Sequence, residues 1–306
     1  MESWNTTSQC ASASHTEFVG RCVLLPIIMC LLAVFICGGN MMTILAVYRN
    51  VPLQTNPNMY VVSLAVADLI VGVYVFFDSF WYNALTEDDI AHCTLCNLSN
   101  LCAFYTSLFA SMVSLVLISA DRFLYICYPF QYEYLVTRRK IQTIIIATWI
   151  ISVTLGTFPI YFDFEFDMLP VWYEIYLEKT IFASVFVITL VLYAGIVKTA
   201  RRQLKSIEAT TVDPAHSRSV GKNWKGVRLM LLVCGGFFVC WCPYHLCIVI
   251  SHVSYVSEDV LDALFPLGIL NSGVNFVIYA LMNRDFRAAF YRIISSVPRC
   301  CREHAV

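Results

Sequence analysis

A chain of 306 residues that is 59% hydrophobic and 13% charged, with a mean hydropathy of +0.69, is too apolar for a water-soluble domain. It belongs in a membrane, and its near-neutral net charge of −1 gives no reason to expect a nucleic-acid partner.

In chain order, seven apolar stretches cover roughly 23–48, 57–82, 98–126, 141–163, 175–200, 226–252 and 260–282. Each is near or above the ~20 residues that a helix needs to cross hydrocarbon. The predicted fold is an all-α bundle of seven transmembrane helices, with 1–22 and 283–306 as flanking segments on opposite sides. Of the twenty basic residues, all but Arg21 and Lys179 fall at the first, third and fifth connections or after the last span. Cytoplasmic loops retain Lys and Arg, so the N-terminus is expected outside and the C-terminus inside. No cleaved signal peptide is expected, because MESWNTTSQC lacks a basic start and a small-residue cleavage site. Asn5-Thr6-Thr7 is a glycosylation sequon on the outer side, and Asn97-Leu98-Ser99 lies too near the third span to count.

Most of the fourteen cysteines fall in spans, where Cys behaves as a small apolar residue. Cys10, Cys22, Cys93, Cys96 and Cys102 are assigned to the outer side, and CTLC at 93–96 reads as part of an extracellular bridge rather than a redox motif. The longest loop, about 201–225, carries Asp213-Pro214 and Gly221 as turn residues. After the seventh span, Phe286, Phe290, Ile293 and Ile294 alternate with Arg284, Arg287 and Arg292 in the pattern of an amphipathic helix on the inner membrane surface. Cys300 and Cys301 follow as palmitoylation candidates.

Polar residues inside spans are costly and mark functional candidates. Asp68, Ser111, Asn271 and Asn275 come from three spans and share the inner half. Converging, they form a pocket of one carboxylate and neutral oxygens fit for sodium. Plain interhelical hydrogen bonding accounts for the same residues.

The joint pattern carries more. GGN at 38–40, SLAVADL at 63–69, DRF at 121–123, Trp149, Tyr193, CWCP at 240–243 and NFVIY at 275–279 resemble the landmarks of rhodopsin-like (class A) G-protein-coupled receptors, one per span and in order. The resemblance implies an activation switch built from Asp121, Arg122, Phe123, Tyr193, Trp241, Pro243, Asn275 and Tyr279. It implies a heterotrimeric G protein as partner, met by Arg122, Pro129 and Phe130, with arrestin and a receptor kinase acting on the same face at the plasma membrane. The adjacent acid and arginine neutralise each other, and release of the arginine is what a partner would drive.

Four departures change what is expected. Phe276 stands where the family has proline, Val185 likewise in the fifth span, and the loop TFPIYFDFEFDMLPVWYEIY has no cysteine to bridge to the third span. Asn223 stands where an acid often adds a second clamp on the arginine, which implies basal activity. These absences resemble the branch of melanocortin, cannabinoid, lysophospholipid and orphan receptors. Amine receptors place an aspartate where this chain has Phe104, and no lysine lies between Glu258 and Asn283 to hold a retinal.

The outer pocket is expected from Asp78, Phe104, Tyr105, Leu108, Trp241, Tyr244, His245 and Ile269, with Phe76, Phe77, Phe80 and Trp81 nearby. Mostly apolar, it suits a lipid-like ligand. Aromatic residues also gather at membrane interfaces, and Asp78 gives a cationic peptide an alternative hold. Asn97 and Leu101 stand where melanocortin receptors keep calcium-binding acids, so no such site is expected. A transporter would show a repeat and broken helices, and an enzyme would show HExxH, GxSxG or a phosphate-binding glycine loop; none is visible.

Overall fold

The computed structural model describes residues 24–84, 94–158, 172–209 and 214–303. Seven helices among them are long and apolar enough to cross a membrane. Helix one is Leu25–Arg49, helix two Asn56–Ala84, helix three Thr94–Cys127 and helix four Arg138–Thr157. Helix five is Lys179–Ala209, entered through a π-helical turn at Trp172–Glu178. Helix six is Pro214–Ser251 and helix seven Glu258–Met282, followed by a C-terminal helix, Arg284–Glu303.

Helix three is the most buried span and helix four among the least. Phe109, Met112, Leu115 and Ile118 of helix three meet the other spans in one continuous core. Outward, Leu31, Val34, Ile146, Ile150, Val191, Val239 and Leu246 are exposed, an apolar coat that water would penalise and lipid tails accept. Polar side chains tie the described spans together. Asn40 Nδ2 donates to Ser272 O at 2.9 Å, joining helices one and seven. Trp149 Nε1 donates to Ser63 Oγ at 3.1 Å, and Ser63 sits 3.4 Å from Ser114 Oγ, joining helices four, two and three.

The inner face carries two further helices. A short one, Pro129–Leu135, begins with proline at the position where a missing N–H costs nothing. The C-terminal helix is capped by Asn283, whose Oδ1 accepts from the backbone N–H of Asp285 at 3.0 Å and of Phe286 at 3.4 Å. Its Phe286 and Phe290 are buried and its Arg284, Arg287 and Arg292 exposed, as the sequence pattern predicts, although Ile294 faces outward.

One expectation is overturned. Pro214 and Gly221 do not make turns in a loop over 201–225; Pro214 opens helix six and Gly221 lies within it. Hydropathy marks only the lipid-crossing part of a helix, whereas the polar extension follows helical geometry out into water, with proline favoured in its first turn.

Candidate functional site

At the inner end of helix three, Arg122 Nε lies 3.6 Å from Asp121 Oδ2, an ion pair too long to be a hydrogen bond. Asp121 Oδ1 instead accepts a 2.8 Å hydrogen bond from the Tyr132 hydroxyl on the short inner helix. Burial, then the Asp121 carboxylate, pushes the Tyr132 phenol well above its ordinary value, so it stays a donor. Asp121 is nearly inaccessible and Arg122 partly exposed, which leaves the cation as the member free to meet a partner. Phe123 packs against Gly195 of helix five, where an added Cβ would come within 2.6 Å of its ring. Phe130 is 99% exposed beside an exposed Pro129, an apolar knob on the inner face. A cavity of about 150 Å³ lies alongside, lined by Tyr60, Asp121, Val136, Lys140 and Ile141 among others.

Midway through the bundle, Asn275 Nδ2 donates to Asp68 Oδ2 at 2.9 Å. Asp68 Oδ1, Ser111 Oγ, Asn271 Oδ1 and Asn275 Oδ1 are all buried and lack hydrogen-bond partners. A buried oxygen without a donor is expensive. Four of them on the four residues singled out in the sequence make this group a candidate for holding a small cation.

The remaining residues that the sequence assigns to a switch lie on helices five, six and seven. The Tyr193 hydroxyl donates to Cys234 Sγ at 3.4 Å, tying helix five to helix six. The buried Tyr279 ring stacks on Phe286 at 5.2 Å, and its hydroxyl has no partner. Pro243 sits inside helix six. Phe276, lacking the constraint of proline, leaves helix seven regular there and packs against Phe290 at 5.0 Å and against Gly39, where an added Cβ would meet its ring at 2.8 Å.

Toward the outer end, Phe104 is the hub of an aromatic cluster, with ring centroids 4.8 Å from Tyr74, 5.6 Å from Tyr105, 5.8 Å from Phe265 and 6.5 Å from Trp241. Leu108 and Ile269 are buried with it, Tyr244 joins through Trp241 at 6.1 Å, and Asp78 is half-buried near the end of helix two. Phe76 and Phe77 are 40% and 50% exposed and so turn away from this cluster, because successive residues of a helix cannot all face inward. The side chains of Phe80, Trp81, Asn97 and Asn223 lie outside the described residues, as do Asn5 and the side chains of Cys300 and Cys301. Cys102 is a free, buried thiol of helix three rather than a member of an extracellular bridge, while Cys10, Cys22, Cys93 and the Cys96 side chain lie outside the described residues.

The sequence reading missed one group. Glu178, 1% exposed at the end of the π turn, is hydrogen-bonded by Lys179 Nζ and lies 3.6 Å from His245 Nδ1 of helix six. His245 in turn lies 4.0 Å from the Phe182 ring and stacks on Trp241 at 5.6 Å. A signal exists, an acid inside the predicted 175–200 span, but Lys179 beside it disguises it as a self-neutralised pair at the membrane edge.

Seven spans, a buried acid on the second and an acid–arginine pair closing the third agree with the sequence comparison that decides the family: the model of the 7 transmembrane receptor (rhodopsin family) matches residues 39–279. The chain belongs to that family. The receptor is 28% identical to the histamine H2 receptor of Cavia porcellus, across 94% of this chain and 82% of that protein. It is 30% identical to the octopamine receptor beta-2R of Chilo suppressalis, again across 94% and 82%, and 28% identical to the adenosine receptor A2b of Rattus norvegicus, across 91% of each. As a member of this family the receptor is a multi-pass membrane protein that signals through G proteins and is not an enzyme.

Proposed function

We propose that the receptor sits in the plasma membrane with its N-terminus outside, binds an amphiphile with an apolar, lipid-like or aromatic body over Trp241, and signals appreciably without it. The observation that carries the ligand reading is Phe104, a buried ring packed among Tyr74, Tyr105, Phe265 and Trp241. It supports an apolar body because a pocket with this lining gains from excluding water and offers few polar anchors. Relatives named for histamine, octopamine and adenosine indicate that small molecules suit this architecture, but Phe104 removes the third-span carboxylate on which amine receptors rely.

Asp68, Ser111, Asn271 and Asn275 would hold sodium, which supplies a positive charge to the buried carboxylate and favours the resting arrangement. Arg122, Pro129 and Phe130 would meet the G protein, and arrestin after a kinase has acted on the inner face. Glycosylation at Asn5 and palmitoylation at Cys300 and Cys301 belong to the same reading.

Basal activity is supported by the weakness of the clamp. The Asp121–Arg122 contact is an ion pair without a hydrogen bond, and Asn223 brings no charge to reinforce it. A loss of about 1.4 kcal/mol of resting-state preference raises the active-to-inactive ratio about tenfold. In cells given increasing doses of the gene, cyclic AMP, calcium and arrestin readouts should change with surface receptor before any ligand is added, and Asn223→Glu should quiet them. Readouts that stay at background as surface receptor rises would refute basal activity. Lipid extracts added to the same cells test the apolar body.

A further inference from the structure

Glu178, Lys179 and His245 form a charged group in the outer half of a bundle whose other outer residues are chiefly aromatic. The Glu178 side chain is 1% exposed and that of Lys179 is 12% exposed. His245 is buried, and neither of its ring nitrogens has a hydrogen-bond partner. Burying a carboxylate is costly unless a cation stays with it, and an imidazole with both nitrogens unused adds a further penalty. A bundle that needed only stability would place apolar side chains here.

The difference in exposure decides what the group can receive. Glu178 is 1% exposed and lies 3.6 Å from His245 Nδ1. Lys179 has a long flexible stem and partial exposure, so its ammonium can leave for solvent while its Cα stays in place. An anionic ligand would have to expel the enclosed member. A cationic ligand need only replace the mobile one, exchanging one ammonium for another at nearly constant charge. The rings of Phe182, Trp241 and Tyr244 around His245 add faces that attract cations.

We propose that Glu178 is the anchor for a ligand ammonium, which takes the place of Lys179, with His245 hydrogen-bonded to a polar group of the ligand next to the amine. This rests on the reading of the outer cluster as the ligand pocket and supplies the charged end of the amphiphile proposed there. Because His245 stacks on Trp241, occupancy at Glu178 reaches the centre of helix six through a single ring contact. It also gives a role to Lys179, one of only two basic residues away from the inner connections: it keeps the carboxylate neutralised until an amine arrives.

The test uses the full chain in lipid nanodiscs, with melting temperature as the readout, so that it does not depend on signalling. The probes are 2-phenylethylamine, histamine, octopamine and octadecylamine, each beside its neutral alcohol or deaminated counterpart and beside phenylacetate. At least one amine should raise the melting temperature in a saturable way while its neutral partner does not. Glu178→Gln should weaken that amine by at least about thirtyfold, and Glu178→Asp should retain part of it. Lys179→Met should tighten it, since the competing cation is gone, and a merely structural pair would not behave so. Surface expression checks the folding of each variant, and Lys179→Met keeps the test decisive if Glu178→Gln is not delivered to the surface. Equal stabilisation by amine and alcohol, stabilisation by phenylacetate instead, no response to any amine, or weaker amine binding in Lys179→Met would each overturn the anchor. Stabilisation by the alcohols alone would overturn it while leaving the apolar pocket standing.

Discussion

The inner and outer ends of the bundle both carry a buried carboxylate next to a cation in sequence, Asp121–Arg122 and Glu178–Lys179, yet the two pairs are built differently. At the inner end the acid is held by a third group, the Tyr132 hydroxyl, and the arginine stands 3.6 Å away without a hydrogen bond. At the outer end the lysine itself makes the hydrogen bond, and the third group, His245, is the one that stands off at 3.6 Å. The inner pair thus leaves its cation unbonded and partly exposed, whereas the outer pair bonds its cation directly, the arrangement that the proposed amine exchange would use. Same composition, opposite use of the third partner.

The largest test removes the inner cation. Arg122→Ala should abolish G-protein activation, basal and stimulated, while surface expression and any stabilisation by outer-pocket ligands survive. A mutant that still couples at the wild-type level would erase the distinction between the two ends. Next comes the centre that separates them. Ligand-free signalling should fall as sodium replaces a large organic cation in the medium, and Asp68→Asn should remove that dependence. Sodium sensitivity persisting in the mutant would reduce Asp68, Ser111, Asn271 and Asn275 to interhelical hydrogen bonding.

The same comparison shows what was legible in the sequence. Asp121, Arg122 and Asp68 stand out because a charge amid an apolar run violates membrane energetics at one glance, and because the landmarks around them recur in order. Phe276 likewise reads directly as a missing proline, and the regular seventh helix packed on Gly39 agrees with it. The Glu178–His245 contact was not legible. It joins helices five and six across a bend in helical phase, since the π turn at Trp172–Glu178 rotates Glu178 relative to the face that a regular helix from Lys179 would predict. Helix six was similarly hidden at its inner end, where a polar, proline-led extension gives no hydropathy signal.

A smaller effect is expected from Phe130, exposed on the short helix Pro129–Leu135. An apolar side chain 99% exposed on a short helix has little to lose by truncation in the free receptor, so a change in signalling must come from a bound partner. Phe130→Ala should lower maximal signalling severalfold at matched expression without altering the response to sodium. Unchanged amplitude would mean that the ring meets lipid rather than a G protein.

The smallest effect tests the third partner itself. Tyr132→Phe keeps the ring, which lies edge-on to Tyr125 at 5.3 Å, and deletes only the donor to Asp121 Oδ1. Two consequences oppose each other. Without the hydroxyl, the buried carboxylate loses its one short hydrogen bond and is more easily neutralised, which frees Arg122 and raises basal activity. Alternatively the freed oxygen turns to Arg122 and tightens the clamp, which lowers it. The first should win, because Arg122 is partly exposed whereas Asp121 is enclosed, so the carboxylate bears the loss of a donor worth about 1 kcal/mol net. Ligand-free second-messenger output should therefore rise roughly fivefold at equal surface receptor, and Asp121→Asn should raise it further. A fall in output would show that the acid, not the arginine, is the movable member of the inner pair, and the contrast with Glu178 at the outer end would disappear.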